Sequence, residues 1–387
     1  MATRFDAAVV GGGPAGLTAA CLLAASGART ALMAGPEPGA DPRTVALMQP
    51  ALEVLARIGV WPGAIARHCA PLQALRIADD TGALISAPEV VFQAAELGLD
   101  AFGWNVPLAE LVPVLRARAV ETGVEIIAKA CTGFGLAGDA VRLELGDGAL
   151  EARVAIAADG RDSLLRERAG IAVRAWDYDQ SAIATSFSHS RPHRGVSTEY
   201  HRAGGPFTTV PLPDQRSSLV WMERPARAAA LIALDDAAFA AEIQAACHGE
   251  LGRVFAPGPR RLFAMRGLSA QQLTGPRLIL IGETAHTQPP IGAQGLNMSI
   301  ADAAEAARLI GMAVRQRHDP GGAELLEAYT TARKPDIGLR QAMVDTMNRS
   351  LLAGVLPLDA ARALGLAALK SFGPLRRQAM RRGLGPA

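Results

Sequence analysis

No stretch of this sequence stays apolar for the roughly 18 residues that a membrane-spanning helix requires. The longest candidate, Leu351 to Leu369, is broken by Pro357, Asp359 and Arg362. The amino end lacks a secretory pattern, because Asp6 and then Gly11-Gly12-Gly13 interrupt the apolar core that a signal peptide needs. Neither sign of charge prevails: the formal net charge is +2 over 387 residues, and acids and bases alternate along most of the chain. The broad basic face needed for nucleic acid is therefore not expected. Cysteine is scarce and unpaired. Cys21, Cys69, Cys131 and Cys247 lie far apart in mostly apolar surroundings, with no CxxC or CxH spacing. Buried free thiols are expected rather than disulfides or metal ligands, and with them a cytoplasmic setting. Internal repeats and low-complexity linkers are also missing.

What is present is apolar patterning. Half of the residues are apolar, enough for two packed regions sharing an interface. Ala7–Val10 reads as a short buried strand, Leu17–Ser26 as an Ala/Leu helix stopped at Gly27, and Arg29–Met33 as the next strand, a β-α-β opening. Helices are expected over Ala51–Ile58, Leu108–Thr122 and Ser299–Val314, and strands over Val124–Ala128, Val141–Leu145, Ala152–Ala157 and Leu278–Ile281. Between Trp176 and Arg261 the texture changes to short strands, such as Ala182–Phe187, Phe207–Pro211 and Ser218–Met222, with one helix at Asp236–Ala246. From Ala323 onward the chain reads as helix broken at Pro335, Pro357 and Pro374.

These patterns predict an α/β fold with a discontinuous cofactor domain of residues 1–75, 101–175 and 262–345. A β-rich substrate domain of residues 76–100 and 176–261 is inserted into it, and residues 346–387 form a C-terminal helical segment.

Three glycine motifs end buried strands. Gly11-Gly12-Gly13-Pro14-Ala15-Gly16 is a GxGxxG between strand and helix, the arrangement that brings a pyrophosphate to a helix N-terminus. By itself it does not separate FAD from NAD. The second motif is Ala157-Ala158-Asp159-Gly160-Arg161-Asp162-Ser163. The third is Gly282-Glu283-Thr284-Ala285-His286, continuing through Pro289-Pro290-Ile291-Gly292-Ala293-Gln294-Gly295-Leu296-Asn297. Strand ends of this kind are where ligands collect in a parallel α/β sheet.

In this order and spacing the set resembles the group A flavoprotein monooxygenases, which carry GxGxxG, Asp-Gly and Gly-Asp fingerprints. Within that group it is most similar to the ubiquinone-biosynthesis hydroxylases that act on polyprenylated phenols. Asp41-Pro42-Arg43-Thr44-Val45-Ala46-Leu47, Pro211-Leu212-Pro213, Pro289 to Asn297 and Arg333-Lys334-Pro335-Asp336 support that branch. The resemblance implies a Rossmann-type FAD-binding domain with Gly11, Gly13, Pro14, Ala15, Gly16, Asp159 and Gly160 around the pyrophosphate and Arg43 along the cofactor. It implies Gly282 and Glu283 at the ribityl hydroxyls. The Gly295-Leu296-Asn297 backbone then lies at the pyrimidine edge of the flavin, with the Pro290 carbonyl facing the ring. A helix N-terminus there would stabilise the negative charge of reduced flavin.

The same resemblance implies hydroxylation of an aromatic ring through a C4a-hydroperoxide of the flavin. Only one GxGxxG is present, so NAD(P)H or another reductant is expected to bind transiently. Pro290, Gly295, Leu296 and Asn297 are the expected catalytic positions, and no base can be read. His286 reads as structural or flavin-proximal; His189, His193 and His201 read as solvated. Phe207 and Trp221 fit either a pocket wall or a core.

The sequence also departs from the group. At the end of the second strand, where relatives often hold the adenosine ribose with an acid, stands Ala34, followed by Gly35-Pro36-Glu37. Weaker FAD binding is expected. Leu108 replaces a frequent polar contact. From Lys370 to Ala387 there are five basic residues and no acidic one, interleaved with Phe372, Leu375, Met380 and Leu384. Such a tail suits an anionic membrane surface, and a peripheral place on the inner face is expected for an enzyme of lipid-tailed phenols, beside other quinone-biosynthesis proteins. Hydroxylation of a small soluble aromatic compound and a non-catalytic FAD-holding subunit remain the alternatives. A halogenase is disfavoured because none of Trp61, Trp104, Trp176 and Trp221 lies in a WxWxI motif.

Overall fold

The apolar run at the amino end forms the strand Arg4–Val10, whose last four residues are all buried. A strand buried on both faces needs parallel neighbours with helices above and below. It has them: Thr30–Met33 on one side and Gly148–Ala157 on the other, both parallel. Glu125–Ile127 extends the sheet beyond the former and Leu278–Leu280 beyond the latter. The helices Pro14–Ala25, Leu108–Glu121 and Gln294–Arg315 pack on this sheet and on one another. Leu17, Leu32, Ile156, Ile279, Ala303 and Tyr329 fill the core between them. The computed structural model describes residues 4–35, 41–84, 86–353 and 356–384.

A second, nine-stranded sheet is built around the 17-residue strand Val173–His189, which pairs with Arg216–Glu223 and Arg261–Ala270. Its alternation separates two faces. Ile183, Phe187, Phe207 and Trp221 turn to one side, under the helices Pro225–Ile232 and Asp236–Ala246, where Phe239 and Ile243 meet them. Phe207 and Trp221 are thus core residues in edge contact at 5.0 Å, not pocket walls. Ala182, Ala184, Ser197, Glu199, Thr208, Val210 and Val220 turn to the other side, toward the glycine motifs. The strands Ala74–Asp79 and Val90–Gln93 complete this sheet at its far edge.

Several expected boundaries fall inside regular elements. Residue 76 lies within Ala74–Asp79, residue 176 within Val173–His189, residue 262 within Arg261–Ala270 and residue 346 within the helix Ala323–Ala353. Composition changes gradually along these elements, whereas pairing does not. That last helix also runs through Pro335 instead of breaking there. A proline inside a helix removes one hydrogen bond and costs about 3 kcal/mol. Here Arg333 and Arg340 both pair with Asp336, at 3.2 and 2.8 Å, and brace the turn around it. The helix Gln294–Arg315 begins five residues ahead of the expected Ser299, because Gly292 (φ 63°) and Ala293 (φ 55°) reverse the chain just before it.

The basic tail is not a loose segment. Its described part forms the helices Leu356–Ser371 and Gly373–Leu384, which pack Ala363, Leu366 and Met380 against Leu72, Val90 and Phe92. Arg376 grips Glu96 through Nε and Nη2, at 2.9 and 2.7 Å to the same oxygen. No described helix is long and apolar enough to cross a membrane.

Candidate active site

Gly11 has φ 122°, and a Cβ there would sit 2.1 Å from the Ala158 carbonyl oxygen. The first and second motifs are therefore in backbone contact. Above Gly13 the situation is the reverse: an added Cβ would meet nothing within 4 Å. The helix Pro14–Ala25 starts beneath that open space with no capping side chain and no acid in its first turn. Pro14 has no N–H and Leu17 bonds back to Gly13, so Ala15 and Gly16 carry the unclaimed donors of the first turn. Uncapped donors, positive dipole and room fit a pyrophosphate.

Asp159 has its carboxylate turned into the protein. Oδ2 accepts from the Leu165 N–H at 3.2 Å and Oδ1 accepts from the Thr284 hydroxyl at 3.3 Å. Thr284 in turn accepts from the Gly160 N–H at 3.0 Å. The acid thus joins the second motif to the third, while Ala158, Gly160 and Arg161 line the cavity. Glu283 is exposed at the edge, 3.6 Å from Arg161. Arg43 is paired with Asp41 at 2.6 Å and lies over the Phe263 ring at 5.1 Å.

Beneath the Gly282 turn lies a fully buried acid that the sequence did not single out. Asp302 Oδ2 accepts from the Gly282 N–H at 3.1 Å and is 2.6 Å from His286 Nε2; Oδ1 accepts from Arg333 Nε at 2.8 Å. Burial alone would push its carboxyl up, but His286 and Arg333 outweigh burial and hold it below the usual carboxylate range. His286 is buried with its edge on the cavity, so it supports the turn. The chain continues through Asp336 to Arg340, which donates to Gln294 at the start of the long helix.

That start is fastened by Asn297. Its Oδ1 accepts from the Met48 N–H at 2.8 Å, and its Nδ2 donates to the carbonyls of Ala46 at 2.8 Å and Ala293 at 2.7 Å. The Asn297 side chain is consumed in this clasp. Gly295 and Leu296 line the cavity, which Pro290 borders from an exposed position. Ala34 is buried at its strand end, and Glu37, the next acid along the chain, lies outside the described residues.

The motifs enclose one wall of a cavity of about 460 Å³; the open face of the second sheet forms the other. Leu72, Leu75 and Met48 line it beside the C-terminal helices. A larger, open depression of about 620 Å³ around Thr274, Arg277 and Thr330 contains none of the glycine motifs. On the second-sheet wall Glu199 and His201 form a buried pair, 2.8 Å apart. The solvated role expected for His201 is thereby corrected: the alternation of Val196–His201 places Ser197, Glu199 and His201 on the inner face. Cys21, Cys69 and Cys247 are buried free thiols, and Cys131 is half-buried.

The fold and site define a flavin-binding oxidoreductase architecture, and the comparisons agree. Residues 4–345 match the FAD binding domain family, and the chain belongs to that family. It uses FAD and is an FAD-dependent monooxygenase. The chain is 33% identical to ubiquinone hydroxylase UbiL of Rhodospirillum rubrum, over 98% of this chain and 89% of that protein. It is 30% identical to 3-demethoxyubiquinol 3-hydroxylase of Escherichia coli, over 98% of each. Among solved structures it is similar to p-nitrophenol 4-monooxygenase PnpA of Pseudomonas putida, with TM-score 0.80, 19% identity and 99% coverage of each chain.

Proposed function

We infer that this protein hydroxylates the aromatic ring of a polyprenylated phenol in ubiquinone biosynthesis. The observation that carries the reading is the single cavity with two unlike walls. One is made of cofactor-binding turns and a helix N-terminus; the other is a largely apolar sheet face that carries Glu199 and has an aliphatic flank. Bound FAD, once reduced, activates dioxygen and supplies the oxygen atom. The protein's own residues do the rest. Ala15 and Gly16 N–H groups would hold the phosphates, and Arg43 and Glu283 would contact the cofactor. The donors at the start of the Gln294–Arg315 helix, which has no side-chain cap, would stabilise the anion of reduced flavin. Ala182, Ala184, Val210 and Val220 exclude water from the ring-binding side, and Leu72 and Leu75 offer an apolar path for the tail. The electron donor is a transiently bound reduced pyridine nucleotide or a separate reductase.

Deleting the gene and profiling quinone intermediates tests this directly. An accumulated phenol short of one hydroxyl, cleared by re-expression, is the expected result; an unchanged profile overturns the reading.

We further propose a peripheral place at an anionic membrane surface. Leu364 and Leu375 are exposed, at 71% and 42%, on the two C-terminal helices that also carry Lys370, Arg377, Arg381 and Arg382, and Phe372, at 63%, stands between those helices. Replacing Phe372 and Leu375 by serine is expected to lower co-sedimentation with phosphatidylglycerol vesicles while flavin stays bound. Undiminished binding removes the proposal.

A further inference from the structure

Glu199 is an unusual residue for its wall. Among the described residues it is the only carboxylate that the second sheet contributes to the cavity, and it is 6% exposed. Burying a carboxylate is costly unless it is paired and hydrogen-bonded. Its partner here is His201, whose Nε2 lies 2.8 Å from Oε1. With Glu199 ionised, that nitrogen is the donor. His201 is itself 3% exposed, and Nδ1 is buried with no hydrogen-bond partner among the described residues. A pair that served only to stabilise the sheet would be cheaper as two apolar residues. This one leaves Oε2 of Glu199 for whatever occupies the cavity.

We propose that Glu199 is the general base of the hydroxylation, accepting the proton of the substrate's ring hydroxyl on Oε2, and that His201 is its positioning residue. In the step, the ring O–H bond breaks and the proton goes to Oε2. The electron pair it leaves moves into the ring, which forms the new C–O bond. The O–O bond of the oxygen donor breaks, and its second oxygen leaves and ends as water. The ring carbon then loses its hydrogen as a proton to restore the aromatic ring. His201 holds Oε1 and so aims Oε2.

The surroundings bear on the titration. Ile77 and Thr208 flank Glu199 on the adjoining strands, both uncharged. Asp79 stands beside His201 in register, but it accepts from the backbone of Thr81 and Ala87 and lies 3.5 Å from Arg362, which pairs with Asp359. The other charged cavity residues are Arg266, paired with Asp177 at 3.0 Å, Arg43, paired with Asp41, and Arg161, Glu283 and His286 on the flavin wall.

The proposal rests on the phenol-hydroxylase reading, and the test separates the two. Dithionite-reduced holoenzyme is mixed with oxygenated buffer and 2-prenylphenol, and product is followed across pH. No product from the wild type sinks the parent reading. With product formed, the wild-type rate is expected to rise with pH through an acid limb. Glu199→Gln should be about a hundredfold slower at neutral pH, lose that limb, and recover in alkali as the phenol ionises in solution. Glu199→Asp should be slower but keep the limb.

A binding measurement needs no turnover. By calorimetry the wild type should prefer 2-prenylphenol over its methyl ether about tenfold or more, as a hydrogen bond to a charged acceptor implies, and Glu199→Leu should lose the preference. A Glu199→Gln profile parallel to the wild type, or a preference that survives in Glu199→Leu, overturns the assignment.

Discussion

A methyl group placed on Gly16 would sit 2.0 Å from the carbonyl oxygen of Gly11. Neither atom can yield without opening the turn, so Gly16→Ala is expected to purify without flavin, read from the absorbance ratio of cofactor to protein. Ala34 makes the opposite case. The ribose-facing acid of many relatives is absent there, and a charge-assisted hydrogen bond is worth about 1.5–3 kcal/mol. Ala34→Glu is expected to tighten FAD binding to the apoprotein about tenfold, measured by flavin fluorescence quenching. Unchanged affinity would mean that another group already holds the ribose.

Asp302 adds a pH dependence at the same scale. Its folded pKa lies below the ordinary carboxylate value, so it contributes stability above that unfolded value of about 3.9. The contribution fades as pH falls toward the lower folded value. Removing the charge leaves the buried Arg333 with Asp336 as its remaining carboxylate partner, and Asp302→Asn should destabilise by about 3 kcal/mol near neutrality. In chemical denaturation the gap to the wild type should narrow only in acid below about pH 4.

At the scale of elements, the Asn297 clasp joins the start of a long helix to the strand Thr44–Met48 and hence to Arg43. Asn297→Ala leaves the Met48 N–H without its acceptor, at a cost of about 1–3 kcal/mol. It should lower both the melting temperature and flavin retention. Much at this scale could be read from the sequence. The strands ending at Val10, Ala157 and Leu280 are short apolar runs closed by glycine motifs, and those signals are local.

What could not be read depended on partners far along the chain. Asp302 sits four residues after Met298 on an ordinary amphipathic helix, and its burial is made tolerable by His286 and by Arg333 on the next helix. Pro335 looked like a break because what anchors its turn, the Arg333–Asp302 pair, is tertiary, although the Arg333–Asp336 and Arg340–Asp336 pairs beside it are local. Glu199 and His201 alternate correctly for one strand face. Which face looks into the cavity was decided by the helices Pro225–Ile232 and Asp236–Ala246 covering the other.

For the whole molecule, the C-terminal helices link the substrate sheet to the cofactor helix. Besides the Arg376–Glu96 pair, the Gln294 amide donates to the Gly383 carbonyl at 3.4 Å, next to the flavin-facing turn. Cutting the chain after Ser371 should therefore lower the thermal midpoint as well as any vesicle binding. The surface substitutions at Phe372 and Leu375 are the cleaner probe of membrane contact. If truncation leaves the melting curve untouched, the docking of Met380 contributes nothing to stability.

The order of strands in the parallel sheet has a consequence for how the enzyme acquires its cofactor. The first glycine turn is synthesised well before its supports: it is backed by Ala158 and tied through Asp159 and Gly160 to Thr284, more than 260 residues later. A half-made chain has no closed cradle. Flavin capture is then a post-synthetic event, and stalled nascent chains ending before residue 278 should emerge colourless while released full-length protein takes up FAD.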